Sequence, residues 1–392
     1  MSPSPSLVAR RARTNAGWLF AASFRPLFVG ASALAAASVP LWVFLFLTGV
    51  AEVGGMPAMV WHAHEMVFGF LPAVMAGYLL SATPNWSGKL PASGTPLALL
   101  FAIWVAGRLV PLVAPLPLAL AADAAFPLAI TAALLREARV KPPKQSRHGL
   151  MLFPVLALAA VAHRLVAEDH ELAATLARTG IAVAALLISA VGGRLVPSLT
   201  RNALAARGAE KVPEPYGRYD VFVLAAIFPA LAVWAAAPTS RAAAVLMGAA
   251  AVLQAVRLLR WRGWLVRQVD VAALHAGYLW LVAGTGLAAL AAEPLSLVPP
   301  DAALHVFTAG AIGTMTMAVM ARLSTTRGAG ARASASLCGF ALMAVNLAAL
   351  ARAAAPILAD HYVELLGMSA ALWALAWTAF LAAQVTGSPD KP

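Results

Sequence analysis

Charged side chains are scarce in this sequence. Only 11% of its 392 residues are Asp, Glu, Lys or Arg, whereas 61% are hydrophobic. A soluble globular protein carries about 25% charged residues, so the charged side chains here are too few to coat a water-facing surface of this size. The deficit argues against a soluble enzyme or binding domain. It predicts an all-α, polytopic integral membrane helix bundle.

Cysteine is almost absent as well, because Cys338 is the single one in the chain. One cysteine cannot form an internal disulfide or supply the thiolate cluster of a zinc or iron–sulfur site. The sequence also lacks GxGxxG after a strand, GxxxxGK[ST] and HExxH, the motifs of dinucleotide, phosphate and zinc-protease sites. These absences exclude soft-thiolate metal centres and the common soluble-enzyme active sites.

Long apolar runs make up most of the chain. Runs of about 20 residues, each long enough to cross a ~30 Å hydrocarbon core, recur from end to end. The breaks between them are rich in Pro, Gly and charge, and none is long enough for a soluble domain. We predict one transmembrane domain over residues 1–392, with a basic cytoplasmic tail at 1–20. Its twelve predicted spans lie near 24–50, 62–83, 95–114, 117–136, 150–167, 171–195, 218–237, 240–258, 270–291, 302–322, 333–354 and 361–385.

Lys and Arg residues fall mostly on one side of this predicted topology. They cluster in the N-terminal tail and in the loops after spans four, six, eight and ten. The loop after span eight, for example, is assigned Arg257, Arg260, Arg262 and Arg267. Because basic loops stay in the cytoplasm, both termini are expected there. The net charge of +12 is therefore interpreted as a topology signal rather than as a sign of nucleic-acid binding.

Five of the eight histidines lie within predicted spans, where ionisable residues mark functional sites by default. They are His62, His64, His163, His275 and His305. The predicted span directions place four of them in the outer half of the bundle, whereas His275 lies near the inner face, in a tilted span or a separate site. Imidazole suits copper, iron and haem. Metal or haem ligation, a proton relay without metal and hydrogen-bonded structural roles are the alternatives.

The segment WHAHEM, residues 61–66, carries three costly groups in one turn. At about 100° per residue, His62 and His64 point about 200° apart, so they can face different partners. Glu65 shares a face with His62 and is a candidate to accept its second ring N–H or to transfer protons. Arg108 is predicted at the same depth, where a haem propionate or Asp123 would serve as its anion.

Several runs resemble the NnrS family: WHAHEMVFGF, AGYLLSATPNWSG, GGRLVPSLTRN, LHAGYLW and LHVFTAGAIGTMTMAVMAR. The resemblance extends from FRPLF at 24–28 to the tenth span. It implies a twelve-span protein of the bacterial inner membrane that binds haem b and copper and takes part in the nitric oxide response. It also implies that the five intramembrane histidines are the ligand candidates. The catalytic subunit of haem–copper oxidases, another bundle with intramembrane histidines, is a looser analogy.

Three functions remain open on these residues. The first is a haem and copper protein that handles nitric oxide, as an oxidoreductase that takes electrons from quinol because the chain holds no soluble electron-donor domain. The second is a sensor or tolerance factor that binds nitric oxide without turnover. The third is a transporter that uses His62, His64 and Glu65 for proton coupling. Steady-state consumption of nitric oxide separates the first from the second, and the third predicts no chromophore.

Overall fold

The computed structural model describes residues 17–87, 91–138, 146–324 and 331–386, so most of the predicted basic tail lies outside the described residues. The helices up to the middle of the chain are α1 (Gly17–Phe20), α2 (Arg25–Thr48), α3 (Ala58–His64), α4 (Leu71–Ser87), α5 (Thr95–Leu109), α6 (Leu116–Ala138), α7 (Ser146–Leu165), α8 (His170–Leu187) and α9 (Gly193–Ala205). The later ones are α10 (Arg218–Ala236), α11 (Arg241–Arg260), α12 (Val269–Ala291), α13 (Pro300–His305), α14 (Gly313–Ser324), α15 (Ala331–Ala354) and α16 (Tyr362–Thr386).

Eleven helical segments in the described ranges are long and apolar enough to cross a membrane. The predicted polytopic all-α fold is therefore confirmed. The span predicted at 150–167 corresponds to a shorter apolar helix, Met151–Leu165. The helical segment that starts at His170 continues past the predicted end of the sixth span, to Ala205. Gly193 and Pro197 do not end it, since a widened turn before Gly193 re-forms the helix as α9.

The chain divides into two compact units. Unit 1 comprises Met1–Ala177, Ser324–Ser334 and Leu381–Pro392, and unit 2 comprises Arg178–Leu323 and Ala335–Phe380. The single domain over 1–392 stays a prediction. Unit 1 holds His62, His64 and His163, and unit 2 holds His275 and His305.

A small hairpin in unit 1 sets the start of α3. Strands β1 (Glu52–Val53) and β2 (Met56–Pro57) pair antiparallel, and Gly54 and Gly55 form the turn between them with φ values of +57° and +71°. Two positive φ angles define the turn type that matches the twist of paired strands, and glycine adopts them without steric cost. The hairpin therefore leads directly into α3, which carries both histidines of WHAHEM.

A π-helical turn interrupts three of the described membrane segments, at Glu65–Phe70, Ile188–Gly192 and Val306–Ile312. The first begins directly after His64 and the third directly after His305. Such turns insert one residue into a helical turn and occur frequently at functional sites. Two of the five candidate histidines thus lie where a regular helix meets a widened one.

Candidate functional site

Two histidines in contact form the centre of unit 1. His64 on α3 and His163 on α7 are buried, with 0% and 1% of their surfaces exposed. Their Nδ1 atoms are 3.3 Å apart. The ring of Phe68 lies against both, with centroid distances of 5.4 Å to His64 and 5.2 Å to His163. The structure thus brings together two of the four histidines that were predicted to share the outer half.

Asp123 on α6 orients this pair. Its Oδ1 lies 3.2 Å from Nε2 of His64, and its Oδ2 accepts a hydrogen bond from Nε of Arg164 at 2.5 Å. Because an ionised carboxylate only accepts hydrogen bonds, Nε2 of a neutral His64 carries the proton and Nδ1 carries the lone pair. His163 can then donate its Nδ1–H to His64. This arrangement leaves the lone pair of His163 on Nε2.

The Nε2 atom of His163 is buried, and among the described residues no hydrogen-bond partner reaches it. A polar atom left without a partner in the interior costs about 1–3 kcal/mol. Metal-binding histidines hold one ring N–H on a protein acceptor and present the other nitrogen to the metal. His163 has this arrangement, with its ring fixed through His64 by Asp123.

Two carboxylates and two guanidinium groups surround the histidine pair. Nη1 of Arg108 donates to both carboxylate oxygens of Glu65 at 3.0 Å, and its Nη2 lies 3.6 Å from Oδ1 of Asp123. Asp123, one of the two anions considered for Arg108, thus lies beside it, and Glu65 lies closer. The formal charges of Asp123, Glu65, Arg108 and Arg164 cancel, so the cluster is neutral when both imidazoles are neutral. The proton-transfer role of Glu65, its contact with His62 and the contact of Arg108 with a haem propionate stay predictions.

His62 has different partners from His64, as their angular separation predicts. Its ring stacks on Trp42 of α2, with a centroid distance of 4.5 Å and an interplanar angle of 25°. His64 instead contacts side chains of α6 and α7. The two histidines of WHAHEM therefore serve two different sets of neighbours within unit 1.

His305 ends α13 in unit 2, and Asp301, one turn earlier, holds its ring. Nδ1 of His305 lies 2.9 Å from the backbone oxygen of Asp301 and 2.9 Å from its Oδ1. Arg352 binds the other carboxylate oxygen of Asp301 at 2.9 Å. Both oxygens that face Nδ1 are acceptors, so Nδ1 carries the proton and Nε2 carries the lone pair of a neutral ring.

His275 on α12 is held in a similar way by a hydroxyl group. Its Nε2 lies 2.8 Å from Oγ1 of Thr200, whose hydroxyl donates to the backbone oxygen of Val196 at 2.8 Å. The hydroxyl therefore accepts from Nε2–H, and the lone pair of His275 lies on Nδ1. That atom is buried against Gly263, and within the described ranges nothing hydrogen-bonds to it. These neighbours lie at the predicted inner ends of α9 and α11, which favours a separate inner site for His275.

The comparison with protein families decides which family this bundle represents. The family model described as NnrS protein matches residues 18–386, nearly the whole chain. The chain belongs to the NnrS family. Membership supports a role in the response to nitric oxide, and the eleven spans make the protein a multi-pass membrane protein. No curated protein and no solved structure matches the chain.

The donor set of this NnrS-family chain limits which metal groups it can hold. Over the described residues, no group of three or more His, Cys, Asp or Glu side chains is arranged to hold a metal ion. Haem iron needs only one or two axial ligands from the protein. Single oriented imidazoles such as His163 and His305 therefore fit haem, whereas the described residues of either unit assemble no three-histidine copper centre.

Unit 2 of the NnrS-family bundle contains a buried ionic network that the sequence patterns do not predict, and the predicted position of Arg257 in a loop is wrong. Arg257 lies fully buried within α11. Its Nε donates to Oδ1 of Asp220 at 2.8 Å, and its Nη1 donates to Oη of Tyr278 at 3.0 Å and to the backbone oxygen of Ser189 at 2.9 Å. Ser189 lies in the second π-helical turn. The available signal was Gln254, a polar residue one helical turn earlier on the same face as Arg257.

Proposed function

We propose that this protein binds haem b and copper within the bacterial inner membrane and acts there on nitric oxide. The proposed ligands are His62, His64, His163, His275 and His305. The observation that carries the proposal is the buried lone pair of His163, which is oriented through His64 by Asp123. Burial of these polar groups in an apolar interior has a large desolvation cost. A bound metal would offset that cost.

Three of the histidines would serve as haem ligands. In His163, His275 and His305, one ring nitrogen is held by a protein acceptor and the other carries the lone pair. Haem iron or copper, when bound, would supply the chemistry that binds nitric oxide. The Nδ1 atoms of His64 and His163 lie 3.3 Å apart, so this pair would hold copper only in a state in which the proton shared between them is displaced.

The charged groups around His64 and His163 would then transfer protons to the site. Reduction of two nitric oxide molecules to nitrous oxide and water consumes two electrons and two protons, so a reductase needs a donor and a proton path. Quinol is the proposed electron donor. Glu65 is the proposed proton carrier, and Arg108 fixes its carboxylate at the start of the π-helical turn, directly after His64 in the chain. Trp104 fixes the same turn by donating from Nε1 to the backbone oxygen of Gly69 at 3.0 Å.

Replacing His163 with Ala tests the metal assignment. We expect the purified variant to lose most of its bound iron or copper, because the change removes the buried lone pair. Metal content by mass spectrometry and the optical spectrum of the reduced protein, with and without nitric oxide, are the measurements. His170→Ala is the matched control, since His170 is an exposed histidine at the start of α8 in the same unit. It should keep the wild-type metal content and spectrum.

The same preparations separate the three functions. Steady-state consumption of nitric oxide with a reduced quinol, slowed by Glu65→Gln, supports the oxidoreductase. Stoichiometric binding of nitric oxide without consumption supports the sensor or tolerance factor. Wild-type protein that is folded, colourless and free of iron and copper contradicts the metal proposal and favours the proton-coupled transporter.

A further inference from the structure

A cavity of about 570 Å³ lies in unit 2, at the predicted cytoplasmic ends of α10 and α11. Its walls combine aromatic side chains, among them Tyr216, Trp261 and Trp264, with the aliphatic side chains of Val256 and Leu259. Ligand sites in proteins have volumes of about 300–1,000 Å³ and largely apolar walls. The cavity is therefore large enough for a small ligand or for a lipid headgroup.

The cavity wall holds two acidic and two basic side chains, and one of the acidic ones, Asp220, is paired with an arginine outside the wall, Arg257. Arg260 forms an ion pair with Glu214 at 2.9 Å, and Asp220 forms one with Arg257 at 2.8 Å. Arg262 also lines the cavity. In the part of the chain that the structure describes, no Asp or Glu forms an ion pair with Arg262. The cavity therefore presents a guanidinium group to an anionic ligand.

The backbone of Arg262 shows that this arginine is held at a steric cost. Its φ and ψ angles are 56° and 38°, the left-handed conformation. The left-handed conformation costs an L-amino acid roughly 1–2 kcal/mol of conformational free energy, whereas its cost for glycine is small. Only one other non-glycine residue in the described ranges has a positive φ, namely Ser296. Residues with strained backbones cluster at ligand sites, where the side chain contacts the ligand and glycine could not replace it.

The lipid-facing wall of the cavity is apolar and continues onto the surface of α11. Leu259 is 60% exposed and Trp264 is 66% exposed, although both belong to or adjoin a membrane-spanning segment. Tryptophan is enriched at the level of the lipid headgroups, where its ring anchors membrane segments. A ligand in this cavity would therefore have its anionic group near Arg262 and its apolar part against the lipid-facing side chains.

We propose that this cavity binds the headgroup of an anionic phospholipid. Arg262 binds the phosphate, Trp264 packs against the glycerol region, and the acyl chains lie along Val256 and Leu259. Basic pockets between transmembrane helices on the cytoplasmic side bind such headgroups. The proposal does not rest on metal binding, although Trp261 of the cavity wall lies against His275, with a ring-centroid distance of 6.1 Å.

Native mass spectrometry of the full-length protein in detergent tests the site. The protein is titrated with phosphatidylglycerol, with phosphatidylcholine and with inorganic phosphate, each alone. We expect one phosphatidylglycerol to bind in preference to phosphatidylcholine. Arg262→Gly should weaken this binding about tenfold, equivalent to about 1.4 kcal/mol. The variant should fold well, because glycine relieves the backbone strain, and Arg262→Lys should retain part of the affinity.

Ser296→Gly is the matched control, because it relieves the same kind of backbone strain in an exposed turn outside the cavity lining. It should leave the lipid affinity unchanged. Equal binding of both lipids, or unchanged binding by Arg262→Gly, would overturn the proposal. Binding of inorganic phosphate with the same dependence on Arg262 would overturn the assignment to a lipid. Binding of decylubiquinone that Arg262→Gly abolishes, with phosphatidylglycerol unaffected, would overturn it in favour of a quinone site.

Discussion

Asp123→Ala is expected to destabilise the protein by about 3–5 kcal/mol, the usual cost of breaking a buried ion pair on one side. The side chain of Arg164 is only 3% exposed, and its Nε binds Asp123 directly. Removing the carboxylate leaves that guanidinium charge buried without its partner and also removes the acceptor that orients His64. We expect a lower unfolding temperature in a thermal-shift assay and a lower metal content. Glu168→Ala, which removes an exposed carboxylate of the same unit, should change neither.

Charge removal on both sides separates this effect from a simple loss of packing. In the double variant Asp123→Leu, Arg164→Met, both charges are gone, so a large part of the lost stability should return. Arg108 keeps Glu65 as its partner in this background. Metal content should stay low, since His64 has no acceptor for its Nε2–H. The single variants Asp123→Leu and Arg164→Met are measured alongside. If the double variant loses as much stability as the two single variants lose together, the unpaired charge is not the cause of the loss.

Gly193→Ala is expected to be the most damaging single-methyl addition in unit 2. A Cβ at this position would overlap the guanidinium group of Arg257. Arg257 cannot move away cheaply, because it is fully buried and bound to Asp220, Tyr278 and Ser189. Overpacking of this kind typically costs about 1–3 kcal/mol, and separation of the buried ion pair adds to it. The measurements are the unfolding temperature and the yield of monodisperse protein on size-exclusion chromatography.

The neighbouring glycine provides a control for this prediction. Gly192 is also buried, but a Cβ there would have its nearest neighbours at 3.7 Å, an ordinary van der Waals distance. Because alanine is favoured over glycine in a helix by about 1 kcal/mol, Gly192→Ala should be neutral or slightly stabilising. Equal losses of stability in the two variants would show that the guanidinium contact is not the cause.

The class of the protein and most of its spans were predictable from the sequence, because both depend on local properties. The length of an apolar run decides whether a helix can cross the bilayer, and the low charge content rules out a solvated surface. The divergence of His62 and His64 was predictable for the same reason, since it follows from the 100° rotation per residue. The Arg108–Asp123 contact was within reach, because both were placed near the same depth of adjacent spans.

The tertiary structure decided which buried polar groups meet. His64 and His163 are 99 positions apart, and no local pattern specifies that their Nδ1 atoms touch or that Asp123 lies behind them. Arg257 was misplaced because a basic residue near a span end satisfies the same composition rule whether it faces water or Asp220. The helix of the sixth span continues past residue 195, because the widened turn before Gly193 lets it run on through Pro197. Local sequence thus determined the bundle, and long-range packing determined which charges and imidazoles the bundle brings together.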